Sequence, residues 1–281
     1  IQPAAGDAGG AIGAALSIYH IFLNKSRIKH LGGDGMKGSY LGPKFANEDI
    51  KKTYNKIGAK FHEFENTILI EKIAKALDEG KAIGLMNGRM EFGPRALGGR
   101  SIIADPRSEN MQKTLNLKVK YRESFRPFAT SILYEELNNW FNLKVPSPYM
   151  LLVSDVADSK KLTNSDENKL LFGLEKLNLL RSTIPAVTHV DYSSRIQTVH
   201  KETNPFFYKI LLKFNELTGC PIVVNTSFNV RGEPIVCSPE DAFRCFMGTE
   251  LDILVVENIL LLKEDQSNDF KENYKLNFRP D

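Results

Sequence analysis

Apolar residues recur along the chain at two kinds of spacing, which predict helices in some segments and strands in others. Where they recur every three or four positions they fall on one face of a helix. Helices are predicted on this basis over Gly9–Leu23, Thr67–Glu79, Ser108–Leu117 and Pro205–Leu217. A further helix is predicted to begin at Ser238, because Ser is a favourable N-cap and Pro239 suits the first helical position.

Short runs of β-branched and apolar residues predict strands between these helices. These runs are Ala82–Met86, Ala129–Leu133, Met150–Ser154, Ala186–Val190, Ile196–His200, Pro221–Asn225, Leu251–Val256 and Asn258–Leu262. Glycine-rich Leu31–Pro43 is predicted to be a linker or turn, and polar Asp155–Lys169 an exposed, mobile loop. Strands that alternate with helices predict a layered domain of the α/β or α+β class.

Composition places the chain among ordinary globular proteins. It has 281 residues, of which 42% are hydrophobic and 25% charged, enough for one large domain or slightly more. The net charge of +3 is too small to indicate nucleic-acid binding by itself. The sequence shows no apolar run approaching the roughly 18 residues of a membrane span. Three cysteines without a CxxC pair predict reduced thiols and a cytoplasmic protein.

Positive charge is concentrated in Gly88–Phe128. Between Arg89 and Arg126 nine Lys and Arg stand against four Asp and Glu, a local charge of +5 compared with +3 for the whole chain. The same segment is rich in Gly and Pro, and glycine lets a backbone approach a ligand closely. Arginine donates in a planar fork that suits phosphates. These features favour an anion site over a solvated basic face, since Ile102 and Phe128 are interleaved with the charges.

The basic stretch Lys118–Phe128 is predicted to contribute cations from one surface. If Lys118–Arg122 is extended, Lys118, Lys120 and Arg122 project to the same side, because strand side chains alternate. Such a row suits a polyphosphate. The alternative interpretation is an edge strand whose lysines prevent aggregation.

Polar side chains follow the predicted strand Pro221–Asn225. Asn225, Thr226, Ser227 and Asn229 offer donors and acceptors for an amide or a ribose. They are equally typical of a turn that satisfies its own backbone, so both interpretations stay open. The polar residues from His189 to Arg195 predict another turn, with the histidine in a structural pair with an aspartate. No nucleophile–base pair or metal-ligand spacing is evident, which favours catalysis by charge stabilisation.

Several motifs together resemble the C-terminal part of the O-carbamoyltransferases, a family that includes nodulation and antibiotic-tailoring enzymes. They are GDAGGAIGAAL, EFGPRALGGRSIIADPR, KYRESFRPF, RIQTV and NTSFNVRGEPIVCSPEDA, in this order between residue 6 and about residue 260. The resemblance implies a YrdC-like domain, a twisted open sheet flanked by helices that forms carbamoyl-adenylate from carbamoyl phosphate and ATP.

The resemblance also implies a division of the chain. Residues 1–45 are expected to be a short helical remnant of an actin-like domain plus a linker, and residues 46–281 the YrdC-like domain. The chain opens on Ile1 instead of Met, which fits a fragment. Transfer to an acceptor hydroxyl and an iron site are expected in an N-terminal domain outside this sequence, with Asp7 as a remnant metal ligand. The acceptor itself cannot be read from these residues, and a homodimer stays open.

The residues that match the motifs are expected to serve in two ways. Charge on the reacting phosphates would be neutralised by Arg95, Arg100, Lys120, Arg122 and Arg195. Substrate or nucleotide would be held by Arg89, Arg126, Asn225, Thr226, Ser227, Asn229 and Gly232. Mg²⁺ is expected with the triphosphate. The sequence departs from the family at Gly99, where Asn is common, which puts one ligand contact in doubt.

Two other functions are kept as alternatives. One is a YrdC-like basic module that binds structured RNA, in which the +5 segment would follow a phosphate backbone. Against it, the chain has no long basic run and no ladder of stacking aromatic residues, so nucleic acid is the less favoured partner. The other is a noncatalytic sensor of carbamoyl phosphate.

Overall fold

A computed structural model of the chain describes residues 3–4, 6–28, 35–163, 171–177, 179–270 and 274. The strands are β1 His62–Glu63, β2 Ile83–Met86, β3 Arg100–Ala104, β4 Ala129–Leu133, β5 Leu152–Asp155, β6 Ser193–Val199, β7 Ile222–Ser227, β8 Ile253–Val256 and β9 Ile259–Leu262. The helices are α1 Asp7–Ser17, α2 Asn47–Ile57, α3 Asn66–Asp78, α4 Met111–Thr114, α5 Leu137–Trp140, α6 Leu174–Leu177, α7 Pro205–Thr218 and α8 Pro239–Met247.

The strands form one mixed sheet in the order β1-β9-β8-β2-β3-β7-β4-β6-β5. β2 pairs with β8, and β4 with β6, in parallel, while the other neighbours are antiparallel. The central strands β2, β3, β4 and β8 are buried along their whole length, which explains their runs of apolar residues. The predicted α/β class, with an open sheet and helices, is confirmed.

Helix ends follow the signals in the sequence. Ser238 Oγ accepts a hydrogen bond from the Asp241 amide, and the Asp241 carboxylate accepts one from the Ser238 amide, so a capping box starts α8 at the predicted N-cap. Asn204 caps α7 through the Phe207 amide, and this helix ends at Gly219 in the left-handed region with φ +70°. Helix α7 packs against α3, and its Phe207, Ile210, Leu211 and Phe214 are fully buried.

The two faces of the central sheet differ in polarity. The pairing of β7 with β4, and of β4 with β6, places Asn225, Ser131 and Gln197 on one face. Their neighbours Val224 and Ile196 point to the opposite side. The segment Arg95–Gly99 covers the polar face, because the backbone oxygens of residues 96 and 97 accept hydrogen bonds from the two amide side chains. The hydrogen bonds of this buried polar face therefore hold the segment Arg95–Gly99 against the sheet.

The prediction that Lys118–Arg122 is extended is wrong. Leu115–Val119 continues α4 as a single π-helical turn, with both of its terminal side chains buried at a spacing of four. Lys118 is therefore exposed and pairs with Glu250 at 2.8 Å, whereas Lys120 is buried. No shared strand face exists here, and the edge-strand alternative is removed with it.

The predicted strand Ala186–Val190 is also wrong. Pro185–Val187 forms a 3₁₀ turn, and the next residues continue as irregular backbone and a turn. Pro185 favours this because its ring fixes φ near the helical value and removes a ladder donor. The predicted turn ends earlier than expected, since Ser193–Arg195 already belong to β6.

The other differences between the predicted and the observed structure mostly concern elements that are short or weakly apolar. Strands β1 and β3 were not predicted, and neither was the polar helix α2, in which only Ile50 and Tyr54 are buried. The predicted mobile loop Asp155–Lys169 begins at the end of β5, and its residues 156 and 161 form isolated bridges. Its residues 164–170 lie outside the described part.

Near the N-terminus, α1 and a following π-turn, Ile18–Phe22, correspond to the predicted Gly9–Leu23 helix. Residues 31–34 of the predicted linker are not described, but Met36 and Tyr40 pack against the apolar cluster around Leu97. The Tyr40 hydroxyl donates to the Leu97 oxygen at 2.7 Å. The domain boundary at residue 45 stays a prediction. None of the described helices is both long and apolar enough to cross a membrane.

Candidate functional site

An open cleft of about 290 Å³ lies where the turn after β7 meets the segment after α4. Its lining is polar and strongly cationic. It consists of Lys120, Arg122, Arg126, Ser227, Asn229, Val230, Arg231, Gly232, Glu233 and Pro234. Six residues predicted for the site therefore meet in one place: Lys120, Arg122, Arg126, Ser227, Asn229 and Gly232.

Lys120 forms the buried base of this cleft, with only 4% of its surface exposed. Its ammonium lies 2.7 Å from the Ser227 backbone oxygen and 3.2 Å from Ser227 Oγ. It lies 2.8 Å from the Asn229 backbone oxygen and 2.6 Å from Asn229 Oδ1. Burial, and after it the charge of Arg122, lowers the pKa of Lys120 to about 7. The lysine thus fixes the turn after β7 and places a positive charge beside it.

Arg122 is oriented by its neighbours. Its Nε donates to Asn116 Oδ1 at 2.6 Å, and its guanidinium lies 5.0 Å from the centre of the Phe128 ring. Asn116 is fully buried and also donates to the backbone oxygens of Ser124 and Arg126, at 3.0 and 2.8 Å. Burial, followed by the charge of Arg126, lowers the pKa of Arg122 to about 10. The arginine is held rigidly among other cations.

Glu123 connects the two arginines at the rim. Arg126 Nε lies 2.8 Å from Glu123 Oε2, and Arg231 Nη1 lies 3.5 Å from Glu123 Oε1. The backbone amide of Glu123 and then the charges of Arg126 and Arg231 lower the pKa of this carboxyl group, although partial desolvation opposes them. The carboxylate is therefore ionised at neutral pH, and each of its oxygens faces a different arginine.

The turn after β7 is braced from within. Asn229 Nδ2 donates to the Glu233 backbone oxygen at 2.6 Å, and Glu233 Oε2 accepts from the Val230 amide at 2.8 Å. Gly232 has φ +77°, a left-handed conformation that glycine adopts without strain. Burial is the largest influence on Glu233 and raises the pKa of its carboxyl group. The turn thus presents its side chains to the cleft in a fixed arrangement.

Arg95 and Arg195 extend the cation cluster beyond the cleft. Both are partly buried, and the Nε of each is buried without a hydrogen-bond partner among the described residues. Burial, followed by the nearby charge of Arg95, lowers the pKa of Arg195, and Arg195 in turn contributes to lowering that of Arg122. Crowded cations of this kind raise the local positive potential and attract anions.

Glu91 shapes the loop that carries Arg95. Its carboxylate is 7% exposed, and its Oε1 accepts from the amides of Leu97 and Gly99 at 2.6 and 2.7 Å. A third amide, that of Arg100, lies 3.3 Å from the same oxygen. Charge-assisted bonds to several amides are strong, so this loop is held in one conformation.

Four other predicted residues do not line the cleft. Arg100 is fully buried in β3, where its guanidinium donates to the backbone oxygens of Gly88, Gly99 and Pro43, and burial lowers the pKa of the group. Arg89 is exposed and donates to the Gly42 oxygen at 2.9 Å.

Asn225 is fully buried beneath the Arg95–Gly99 loop. Its Nδ2 lies 2.9 Å from Ser131 Oγ and 2.9 Å from Gln197 Oε1. Thr226 points to the other face of the sheet, since it follows Asn225 in β7. The roles predicted for all four residues remain untested predictions.

A larger cavity of about 800 Å³ lies beside the cleft. Ser124, Phe125 and Pro127 line it, while Arg126 between them lines the cleft, so the two share a wall. The guanidinium of Arg181 in this cavity donates to the backbone oxygens of residues 177 and 179. The cavity has room for a ligand but not the cleft's concentration of cations.

The cleft does not fit a metal ion held by the protein. Its lining is dominated by cations, whereas Mg²⁺ prefers carboxylate oxygens. Across the described part of the chain, no three His, Cys, Asp or Glu side chains are placed to hold a metal ion. The side chain of Asp7, the predicted metal ligand, lies outside what the structure describes.

Three residues of the site escaped the sequence analysis in their present roles. Arg231 and Glu123 stand in motifs that it quoted, but nothing in their spacing shows that they meet. Asn116 carries no local signal, because a buried asparagine within an apolar helical run looks like a surface residue. The contact between Glu123 and Arg231 joins segments about one hundred residues apart, and only the fold brings them together.

The cationic cleft lies on one open α/β sheet, and the sequence of the chain identifies its family. Residues 74–263 match the family described as carbamoyltransferase C-terminus. The chain belongs to this family, as the resemblance predicted.

Full-length relatives extend this similarity over almost the whole chain. An uncharacterized protein of Synechocystis is 56% identical over 98% of this chain and 46% of its own length. Nodulation protein NolNO of Sinorhizobium fredii is 36% identical over 95% of this chain and 36% of its own length. For nodulation protein NolO of Bradyrhizobium diazoefficiens the values are 36%, 95% and 45%. The chain spans less than half the length of these relatives.

Solved structures give only a slight likeness. Full-length HypF in its phosphate- and nucleotide-bound form is 19% identical with a TM-score of 0.42, covering 72% of this chain and 22% of HypF. P. abyssi Sua5 complexed with L-threonine is 15% identical with a TM-score of 0.41, covering 70% of this chain and 48% of Sua5. Likeness at this level supports no argument about ligands.

Proposed function

We propose that this domain binds carbamoyl phosphate and ATP in the cationic cleft and forms carbamoyl-adenylate, as a YrdC-like adenylating module. The adenylate would then serve a carbamoyl transfer to an acceptor hydroxyl in another part of the full-length enzyme. The observation that carries the proposal is the meeting of Lys120, Arg122, Arg126 and Arg231 in one small cleft. Family membership supplies the carbamoyl chemistry.

The reaction suits a site without a nucleophile. Water cleaves carbamoyl phosphate to carbamate and inorganic phosphate, and a carbamate oxygen then attacks the α-phosphorus of ATP. A new oxygen–phosphorus bond forms, the bond to the bridging oxygen breaks, and pyrophosphate leaves. Negative charge grows on the phosphate oxygens during the attack, so prearranged cations stabilise the transition state. No covalent bond to the protein is required.

The residues of the cleft divide this work between charge and position. Arg122, fixed by Asn116 and Phe128, presents its outer guanidinium nitrogens to the ligand. Lys120 locks Ser227 and Asn229, whose hydroxyl and amide suit the carbamoyl group or the ribose. Loss of one such prearranged donor costs about 3 kcal/mol of transition-state stabilisation.

The first test is pyrophosphate release from ATP by the chain, with and without carbamoyl phosphate. We expect release that depends on carbamoyl phosphate. Arg122→Ala should reduce it by about a hundredfold or more, since one guanidinium is lost from the transition state. Lys118→Ala is the matched control, because this exposed lysine stands two residues from the cleft and pairs with Glu250 instead.

Other outcomes would redirect the assignment. Binding of carbamoyl phosphate without pyrophosphate release, in the presence of ATP, would contradict adenylation by this chain and favour the sensor. If neither carbamoyl phosphate nor ATP binds while structured RNA does, the result would favour the alternative of a basic RNA-binding module. A gradual loss of RNA affinity in Arg122→Ala would support that alternative further.

A further inference from the structure

Glu123 is the one acidic side chain that joins two cations lining opposite parts of the cleft, among the ion pairs of the described residues. Its Oε2 is 2.8 Å from Arg126 Nε, and its Oε1 is 3.5 Å from Arg231 Nη1. Arg126 comes from the segment after α4, and Arg231 comes from the turn after β7. The carboxylate therefore ties the two walls of the cleft together.

Stabilisation of the fold is a weak explanation for this bridge. The side chains of Glu123 and Arg126 are 41% and 44% exposed, and ion pairs at such positions contribute at most about 1 kcal/mol. The turn and the segment are already joined by the buried Lys120 and by a backbone bond from the Arg231 amide to the Lys120 oxygen. The bridge adds little that these contacts do not supply.

The chemistry of the bridge matches that of a ligand. A carboxylate offers two anionic oxygens to guanidinium groups, as a phosphate does. Arg122 and Lys120 lie in the same cleft, and their pKa values are lowered by burial and by neighbouring cations. The cation cluster is thus incompletely neutralised, and Glu123, whose carboxylate is the only one among the described residues that spans the rim, is exposed enough to move away.

We propose that Glu123 is an internal substitute for a phosphate group. It holds Arg126 and Arg231 across the rim of the empty cleft, and a phosphate of the ligand displaces it. The identity of that ligand, the triphosphate or its pyrophosphate product, rests on the proposed function. Competition by Glu123 weakens anion binding and helps the product to leave, because the carboxylate returns to the arginines as pyrophosphate departs.

The test uses inorganic pyrophosphate as the probe and calorimetry on the complete chain. Glu123→Gln keeps the shape of the side chain but removes its charge. Pyrophosphate then no longer competes with a carboxylate for Arg126 and Arg231. We expect the dissociation constant for pyrophosphate to fall roughly five- to tenfold, which corresponds to one charge at this range in a partly screened site. The gain should shrink at high ionic strength.

Glu250→Gln is the matched control. It removes the same charge from an exposed ion pair, Lys118–Glu250 at 2.8 Å, whose members do not line the cleft. Its pyrophosphate affinity should stay within about a factor of two of the parent. Thermal unfolding of both variants and of Glu123→Asp separates loss of folding from a change in binding. The Glu123→Asp variant, with its shorter side chain, should also bind pyrophosphate more tightly than the parent chain.

The outcomes distinguish this inference from the proposed function. If Glu123→Gln binds pyrophosphate equally or more weakly, Glu123 serves to position the arginines and the substitution by phosphate is wrong. If the parent chain binds no pyrophosphate at all, the proposed function fails before the role of Glu123 is reached. If both glutamine variants bind more tightly by the same factor, the effect is general charge and the inference is overturned.

Discussion

Lys120 shows how much a single residue can do in this fold. Its ammonium lies within hydrogen-bond distance of four oxygens, two from Ser227 and two from Asn229. Removing such a buried donor leaves acceptors unsatisfied, which costs about 1–3 kcal/mol for each one that water cannot reach. The charge of Lys120 also depends on pH near neutrality, because burial lowers its pKa to about 7.

Anion binding should depend on this pKa. Above pH 7 the empty site increasingly holds neutral Lys120, so affinity for pyrophosphate should fall roughly three- to tenfold between pH 7 and 8. A bound anion favours the charged lysine and raises its pKa again, so binding at pH 8 takes up a proton. Calorimetry in two buffers of different ionisation enthalpy measures this uptake.

Two lysine variants isolate the contribution of Lys120. Lys120→Arg keeps its charge at all these pH values and should lose the extra proton uptake. Lys118→Arg, at an exposed lysine paired with Glu250, should retain it. Pyrophosphate's own titration is common to both variants. Equal proton uptake in the two would contradict the assignment.

Residue type and local charge allowed part of the site to be predicted. The motifs that carry Lys120, Arg122, Ser227 and Asn229 could be read directly, because basic and amide residues stand together in sequence. Arg100 shows the limit: its type and neighbours suggest a phosphate clamp, yet its guanidinium donates to three backbone oxygens in the interior. Burial of an arginine cannot be read from the residues on either side of it.

At the scale of elements, the loop between Glu91 and Arg100 has a geometry that restricts substitution at Gly99. Glu91 accepts from several amides of the loop, and Gly99 sits where a Cβ would lie 2.9 Å from the Arg89 oxygen and 3.0 Å from Glu91 Oε2. The resemblance to the O-carbamoyltransferases led us to expect Asn at position 99.

Gly99→Asn should destabilise the chain, because its Cβ meets a backbone oxygen that cannot easily move. We expect a loss of about 1–3 kcal/mol in the free energy of unfolding, measured by urea denaturation. Gly13→Ala is the control, since nothing lies within 4 Å of a Cβ there and alanine favours a helix. An unchanged or raised stability in Gly99→Asn would show that the loop adapts.

Elements with strong periodicity were predictable, and short elements set by long-range contacts were not. Helix α7 and strand β4 follow their apolar patterns closely. The π-helical turn Leu115–Val119 runs past the predicted end of its helix into the segment Lys118–Arg122, which was predicted to be extended, because the buried side chains at both ends of the turn fix it against the core. Strand β3 was not predicted because it begins with an arginine, although its whole length is buried between β2 and β7.

At the scale of the whole molecule, positive and negative charge are distributed unevenly along the chain. One region collects the cations of the cleft, while the rest of the chain carries a small excess of negative charge, because the net charge is only +3 against +5 for Arg89–Arg126. Such a field accelerates the approach of anionic ligands and weakens with ionic strength. Charge distribution along the chain could be read from the sequence, but the fold decides which cations meet.

The proposed function assigns one step of the reaction to this chain, and that assignment can be tested directly. The chain spans less than half the length of its nodulation relatives, so their complete activity need not reside here. With ATP, carbamoyl phosphate and a hydroxyl compound present, we expect pyrophosphate and carbamoyl-adenylate but no carbamoylated hydroxyl. Mass spectrometry of the products, with Arg122→Ala as the inactive control, makes the measurement. Robust carbamoylation of the hydroxyl by this chain alone would show that transfer as well as adenylation takes place within these 281 residues.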